Sequence, residues 1–162
     1  MRRQLTPDQA LERLEDLCSR SEQCTADLRR KLWQWQIGAA DADRIIGSLT
    51  GGAFVDDARY ARAFVRDRYR FSSWGRAKLR AALTAKRIAA PLIASALEEI
   101  DSREYQRLAF AAMRSRLRSL DRTDTAVCRQ KLLRFGITRG YETDLLLRIL
   151  DSRSLWRTSD GE

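Results

Sequence analysis

Apolar residues recur along this chain at steps of three and four, the mark of helices that bury one stripe. Ala10, Leu11, Leu14, Leu17 and Cys18 form the first stripe. Ahead of it, Thr6-Pro7-Asp8-Gln9 supplies an N-cap hydroxyl, a proline at the first helical position, an acid at the positive helix end and a capping-box glutamine. A second helix is predicted from about Thr25 to Gln36, with Leu28, Leu32, Trp33 and Trp35 along it and Gly38 just beyond its end. Asp41 opens a third through Ile45, Ile46 and Leu49, which Gly51-Gly52 closes. Asp56 or Asp57 starts a fourth that reaches about Tyr69, with Tyr60, Phe64 and Phe71 expected to face the core. Ser72 or Ser73 precedes a fifth, and Pro91 sits in the first turn of a sixth. Periodic segments at about 102–119, 124–135 and 140–151 complete nine helices, and no stretch reads as a strand. From Ser152 onward the chain turns polar, and residues 152–162 are expected to form a flexible tail.

The apolar pattern also repeats at long range. Ile37, Ile88 and Ile137 stand 51 and 49 residues apart. Five residues before each come Leu32, Leu83 and Leu132; nine before come Leu28, Leu79 and Cys128. Nine after come Ile46, Leu97 and Leu146, and twelve after come Leu49, Ile100 and Ile149. A unit of three helices repeated at this period predicts an all-α fold: three tandem three-helix repeats forming a curved, elongated helical solenoid, each module extending its neighbour's core. The repeats are expected at 1–52, 53–101 and 102–151. Leu28, Leu32, Leu79, Leu83, Leu132, Phe64 and Phe135 should then be largely buried. Trp33 is expected in the core, with Trp35 as the tryptophan left for a partner.

Composition narrows the chemistry. The chain of 162 residues has no histidine, which excludes a His-dependent triad and a mixed Cys/His zinc site. Its three cysteines, Cys18, Cys24 and Cys128, lack metal-ligand spacing. Asp56-Asp57 read as helix-capping acids and not as an acid–base dyad, because adjacent helical residues point in different directions. No glycine-rich loop of phosphate-cradling spacing is present. An enzyme is not expected, nor a cofactor, a metal or a catalytic residue. The start lacks an apolar segment behind its arginines, and no apolar run is long enough to span a bilayer, so a soluble cytoplasmic protein with no membrane contact is expected.

Charge points to the partner. Lys and Arg total 31 against 22 Asp and Glu, a net charge of +9; only four of the 31 are Lys, the other 27 Arg. Such a surplus implies an anionic partner, most simply nucleic acid or a complex that contains it. Between residues 59 and 90 there are ten cations and a single acid, Asp67. Arg59, Arg62, Arg66 and Arg70 fall on one stripe of the fourth helix, and Arg76, Lys78, Arg80, Lys86 and Arg87 follow on the fifth. Stripes on solvated helix faces normally mix signs, so these nine residues are the candidate partner- and DNA-binding set. The structural alternative is that Arg59, Arg62, Arg66 and Arg70 pair with acids from neighbouring modules, such as Glu98, Glu99 or Asp101.

Several motifs resemble the RecX family of regulators. Phe54-Val55-Asp56-Asp57-Ala58-Arg59-Tyr60-Ala61-Arg62-Ala63-Phe64 is similar to the family's central signature. Asp27-Leu28-Arg29-Arg30-Lys31-Leu32 resembles its first-repeat acid-Leu-x-x-Lys-Leu element. Gly75-Arg76-Ala77-Lys78-Leu79 with Leu83 and Lys86-Arg87-Ile88 resembles the second repeat; Lys131-Leu132-Leu133-Arg134-Phe135 with Arg139-Gly140-Tyr141 resembles the third. Two positions depart: Thr25-Ala26 replaces the usual Ser-Glu, and Gly136, where a larger apolar residue is common, is expected to soften the end of the eighth helix. The resemblance implies a helical-repeat protein that binds the RecA recombinase filament on single-stranded DNA, lodges in its groove and mainly inhibits recombination and ATP hydrolysis, thereby regulating DNA repair. Free DNA is a further expected ligand. Direct action on DNA or RNA as a helical-repeat binding protein is the alternative, which stacking aromatics or a recognition helix would favour.

Overall fold

The computed structural model describes residues 5–157, which form ten helices and no strand among them. They are α1 (Pro7–Arg20), α2 (Thr25–Gln34), α3 (Ala39–Gly51), α4 (Asp57–Phe71), α5 (Arg76–Ala85), α6 (Ala90–Glu98), α7 (Ser102–Arg118), α8 (Thr125–Arg139), α9 (Thr143–Asp151) and α10 (Arg153–Trp156). The caps explain several starts. Thr6 and Gln9 exchange the two hydrogen bonds of a capping box at α1. Asp101 and Asp124 accept from Glu104 and Val127 backbone N–H groups at α7 and α8. At α3 the helix opens at Ala39 behind Gly38, two residues before Asp41.

The chain divides into two compact units. In the first, residues 1–64 with 83–96, the faces of α1, α2 and α3 close on Ala10, Leu14, Leu28, Leu32, Ile45, Ile46 and Leu49, and Val55 belongs to the same cluster. In the second, residues 65–82 with 97–162, α7 buries Tyr105, Ala109, Met113 and Leu117 at uniform four-residue spacing against α8 and α9. Each fully buried Leu or Met of these stripes contributes roughly 1.5–3 kcal/mol of transfer free energy.

The repeat positions bury as the period requires, save one. All three copies are buried at −9, −5, +9 and +12, and Ile37 and Ile88 are half-buried and buried at the anchor itself. Ile137, however, is 53% exposed. The reason is a longer helix. In the first two copies the chain leaves α2 and α5 through a left-handed residue, Gln36 (φ 59) or Arg87 (φ 56), so that the next residue's N–H reaches back to Leu32 or Leu83. In the third copy α8 runs on to Arg139, and Gly140 (φ 88) makes the same turn, with Tyr141 N–H on the Gly136 carbonyl. Tyr141, 4% exposed, therefore takes the anchor's place one helical turn later.

Other expectations need correction. Phe71 is 84% exposed, because the buried stripe of α4 runs Ala61–Val65–Tyr69 and not through Tyr60, Phe64 and Phe71. Tyr60 and Phe64 are half-buried and stack with ring centroids 5.9 Å apart; Phe135 is also half-buried, beneath the guanidinium groups of Arg116 and Arg139. The two tryptophans exchange roles: Trp33 is 78% exposed, whereas Trp35 packs on the first unit's core. On a helix Trp35 lies within about 20° of Leu28, while Trp33 is about 140° away. Gly136 does not loosen α8. A Cβ there would collide with the Leu146 side chain, so the glycine lets α8 and α9 approach closely. Finally, Arg153–Trp156 form α10 where a flexible tail was expected: Leu155 is buried, and the Trp156 indole N–H donates to the Leu150 carbonyl at 2.8 Å. Residues 158–162 of that expected tail lie outside the described residues.

Candidate nucleic-acid and partner interface

In the first unit, the acids of the central motif serve helix ends. The Asp56 carboxylate accepts from the Arg59 N–H at 3.0 Å, and backbone hydrogen bonding keeps its pKa below the ordinary carboxylate value. Asp57 accepts from both the N–H and the hydroxyl of Thr25, at 2.8 and 3.0 Å, and so caps the start of α2 from thirty-two residues away. Arg59 Nε donates to Glu22 at 2.6 Å, and its guanidinium also bonds the carbonyls of Ala53 and Phe54. That hydrogen bond to Glu22 raises its pKa further. Arg59 thus ties the α3–α4 connection to the α1–α2 connection.

Lys86 belongs to a second tie. Its ammonium bonds Asp27 on α2, which also receives Arg30 at 2.8 Å. Burial by itself would raise the Asp27 carboxyl, but hydrogen bonds from Lys86 and Cys24, with the Lys86 and Arg30 charges, hold it below its ordinary value. Lys86 is raised in return, first by the same bond. Cys24 is buried against this pair, and burial pushes its thiol upward. Arg87 is exposed and Arg62 is exposed on α4. Asp27, Asp57, Lys86, Arg87, Arg30 and Trp33 share the walls of one open depression of about 720 Å³.

In the second unit, Arg70 reaches Glu104 at 3.1 Å, where the carboxylate also accepts from the Tyr69 hydroxyl at 2.8 Å. The Tyr69 bond, and then Arg70, keep the Glu104 pKa low, while burial raises that of Tyr69. Arg76 is held more firmly. Its guanidinium lies 4.1 Å from the Tyr105 ring centroid and 3.1 Å from Glu142, and its backbone N–H donates to the Tyr105 hydroxyl, which in turn donates to Glu142. Lys78 and Arg68 flank the Trp74 ring at 4.5 and 5.2 Å. Arg66 pairs with its neighbour Asp67 at 3.3 Å, both side chains 58% exposed, and Arg80 is exposed.

The nine candidate cations therefore separate by environment. Arg59, Arg70, Arg76 and Lys86 are fastened to Glu22, Glu104, Glu142 and Asp27, acids other than the Glu98, Glu99 and Asp101 considered from the sequence. Arg62, Arg66, Arg80 and Arg87 present exposed side chains, and Lys78 is half-buried on Trp74. The sequence pattern did not single out Trp33 with Arg29 and Arg30, or Trp74 with Arg68. An aromatic at one-turn spacing from two arginines was the available signal for Trp33; Trp74 stands six residues beyond Arg68, past the end of α4, and gave no such signal. Among the described residues there is no group of side chains suited to hold a metal, and no helix long and apolar enough to cross a membrane.

Known proteins agree with this architecture. The family description "RecX, second three-helix domain" matches residues 56–97. The regulatory protein RecX of Thermus thermophilus is 32% identical over 146 residues, covering 90% of this chain and 89% of that protein. The regulatory protein RecX of Amycolatopsis mediterranei is 24% identical over 154 residues, covering 91% and 86%. A crystal structure of regulatory protein RecX superposes with a TM-score of 0.83 at 23% identity, over 90% of this chain and 73% of that one. Fold and cationic faces define an all-helical protein whose similar proteins are named as regulators, not as enzymes. The chain belongs to the RecX family.

Proposed function

We propose that this protein binds the RecA–DNA nucleoprotein filament in the cytoplasm, restrains its recombinase and ATPase activities, and does so without catalytic chemistry or a cofactor of its own. The observation that carries this reading is the end-to-end relation to proteins named regulatory protein RecX. The net charge of +9 supplies the physical attraction to a polyanionic filament. Contact falls first to the exposed arginines Arg62, Arg66, Arg80 and Arg87. The anchored Arg59, Arg70, Arg76 and Lys86 act mainly in holding helix ends, and Lys78 in holding Trp74.

Filament binding and ATP hydrolysis by the filament, measured across a salt series, test this reading. Arg66→Glu combined with Arg80→Glu should weaken binding and inhibition several-fold. The log–log salt slope should fall by roughly 0.7–0.9 for every phosphate that is no longer neutralised. Stability should move by no more than about 0.5 kcal/mol at Arg66, whose side chain is 58% exposed. Binding to bare single-stranded DNA, bare recombinase and the assembled filament is compared at one salt concentration. Equal affinity for bare DNA and filament, with ATP hydrolysis untouched, would replace regulation of the recombinase by direct action on nucleic acid.

A further inference from the structure

The depression in the first unit contains a tryptophan that the fold does not use. The buried stripe of α2 is Leu28 and Leu32, both fully buried, and Trp33 stands off it at 78% exposure. Water meets most of one large aromatic surface there, an arrangement that folding alone does not favour. Its surroundings are cationic. Arg29 and Arg30 precede Trp33 by four and three residues and so share its face of α2. Arg87 enters the same depression from the end of α5.

The acids nearby are already engaged. Asp27 takes Arg30 and Lys86, Asp43 takes Arg29, and Asp57 takes the N–H and hydroxyl of Thr25. Arg87 pairs with no acid among the described residues, and its backbone sits at φ 56, which a non-glycine residue adopts at a cost. Glycine would relieve that turn, as Gly140 does in the third repeat. A strained, exposed, unpaired arginine beside an exposed indole joins the two groups that single-stranded nucleic acid needs: a π-face for a base and a fork for a phosphate.

We propose that this face binds single-stranded nucleic acid, a base stacking on the Trp33 indole and the adjoining phosphate taken by Arg87. Duplex bases are stacked on one another and leave no face for the indole, so the site selects single strands. An acidic peptide would use the arginines but leave the indole unexplained. The site requires no recombinase and so goes beyond the filament reading, with which it shares a DNA ligand and Arg87.

The test uses the full chain and fluorescence anisotropy of labelled oligothymidylate, beside a duplex of equal length. Trp33→Ala should weaken oligothymidylate binding by roughly five- to a hundredfold, the loss typical of one stacked base, and Trp33→Phe should retain most of the affinity. Duplex binding should change little in either. Arg87→Gly should raise the melting temperature by relieving the backbone, yet weaken oligothymidylate binding and lower the salt slope by roughly 0.7. That opposition of stability and affinity separates a binding arginine from a structural one. The proposal is overturned if wild-type protein does not bind oligothymidylate, if Trp33→Ala stays within twofold of wild type, or if single strand and duplex weaken equally. A Trp33→Ala protein that keeps oligothymidylate but loses the filament would also overturn it and make this a protein-contact face. Restraint of filament ATPase by a variant that has lost oligothymidylate would support the site and leave the filament reading intact.

Discussion

Tyr105→Phe removes one oxygen from the second unit and should cost about 1.5–3 kcal/mol. Tyr105 is 2% exposed, and its hydroxyl accepts the N–H of Arg76, the first residue of α5, at 2.9 Å while donating to Glu142 at 2.8 Å. Deleting the acceptor leaves a helix-start N–H without its partner, a loss of about 1–3 kcal/mol when the group stays dry. The half-buried Arg76 admits some water, which places this contribution toward the lower end. The bond to Glu142 is charge-assisted, but that side chain is 42% exposed and regains water, so about 0.5–1 kcal/mol remains. Urea unfolding near neutral pH, read as a midpoint shift at constant slope, measures the sum.

The pH dependence gives the same prediction a second readout. Burial first, and then the Glu142 carboxylate, push the Tyr105 pKa well above its ordinary value of 10. The unfolded chain therefore loses this proton at a lower pH than the native one does. The contribution is complete below about pH 10 and declines as pH climbs toward the folded pKa. Since phenylalanine has no such proton, the stability gap between wild type and Tyr105→Phe should narrow above pH 10. A gap near zero at neutral pH, or one that widens with alkalinity, would refute the assigned network.

Three further changes test the scaffold. Gly140→Ala should cost about 2–5 kcal/mol by thermal or urea unfolding, since φ 88 disfavours a side chain and the added Cβ meets the Lys78 backbone. Gln36→Gly, at the equivalent left-handed turn of the first repeat, should instead stabilise by about 0.5–1 kcal/mol, and a lower melting temperature would mean that the Gln36 side chain holds the turn. Leu83→Ala, at a fully buried repeat position, should cost about 2–5 kcal/mol, and a change near zero would dissolve the repeat register.

Local chemistry made much of the fold legible. Capping residues act within one turn, so Thr6 with Gln9 and the aspartates ahead of α4 and α8 could be assigned from spacing. Burial at helical spacing is equally local, and the −9, −5, +9 and +12 positions are buried in all three repeats. Trp35 over Trp33 was also within reach, because the angle from Leu28 separates them. The RecX resemblance likewise rested on contiguous motifs, and the full-length relative supports it.

Tertiary structure decided what depends on residues far apart in the chain. Ion pairing of the basic centre joins Arg59 to Glu22, Lys86 to Asp27, Arg70 to Glu104 and Arg76 to Glu142, across 37, 59, 34 and 66 residues. No periodicity of charge on one helix can show which acids another helix will bring to it. The exchange of Ile137 for Tyr141 joins both kinds of cause: Gly140 ends α8 one turn later through its left-handed backbone, and Gly136 leaves room for Leu146 of α9 against the added length. The amino-acid sequence determined nine of the ten helices, most of their buried faces, the family and the net positive charge, because those follow from neighbours in the chain. Which acids fasten Arg59, Arg70, Arg76 and Lys86 was settled by three-dimensional proximity, because Coulomb attraction and hydrogen bonding act on distance in space and not on separation in sequence.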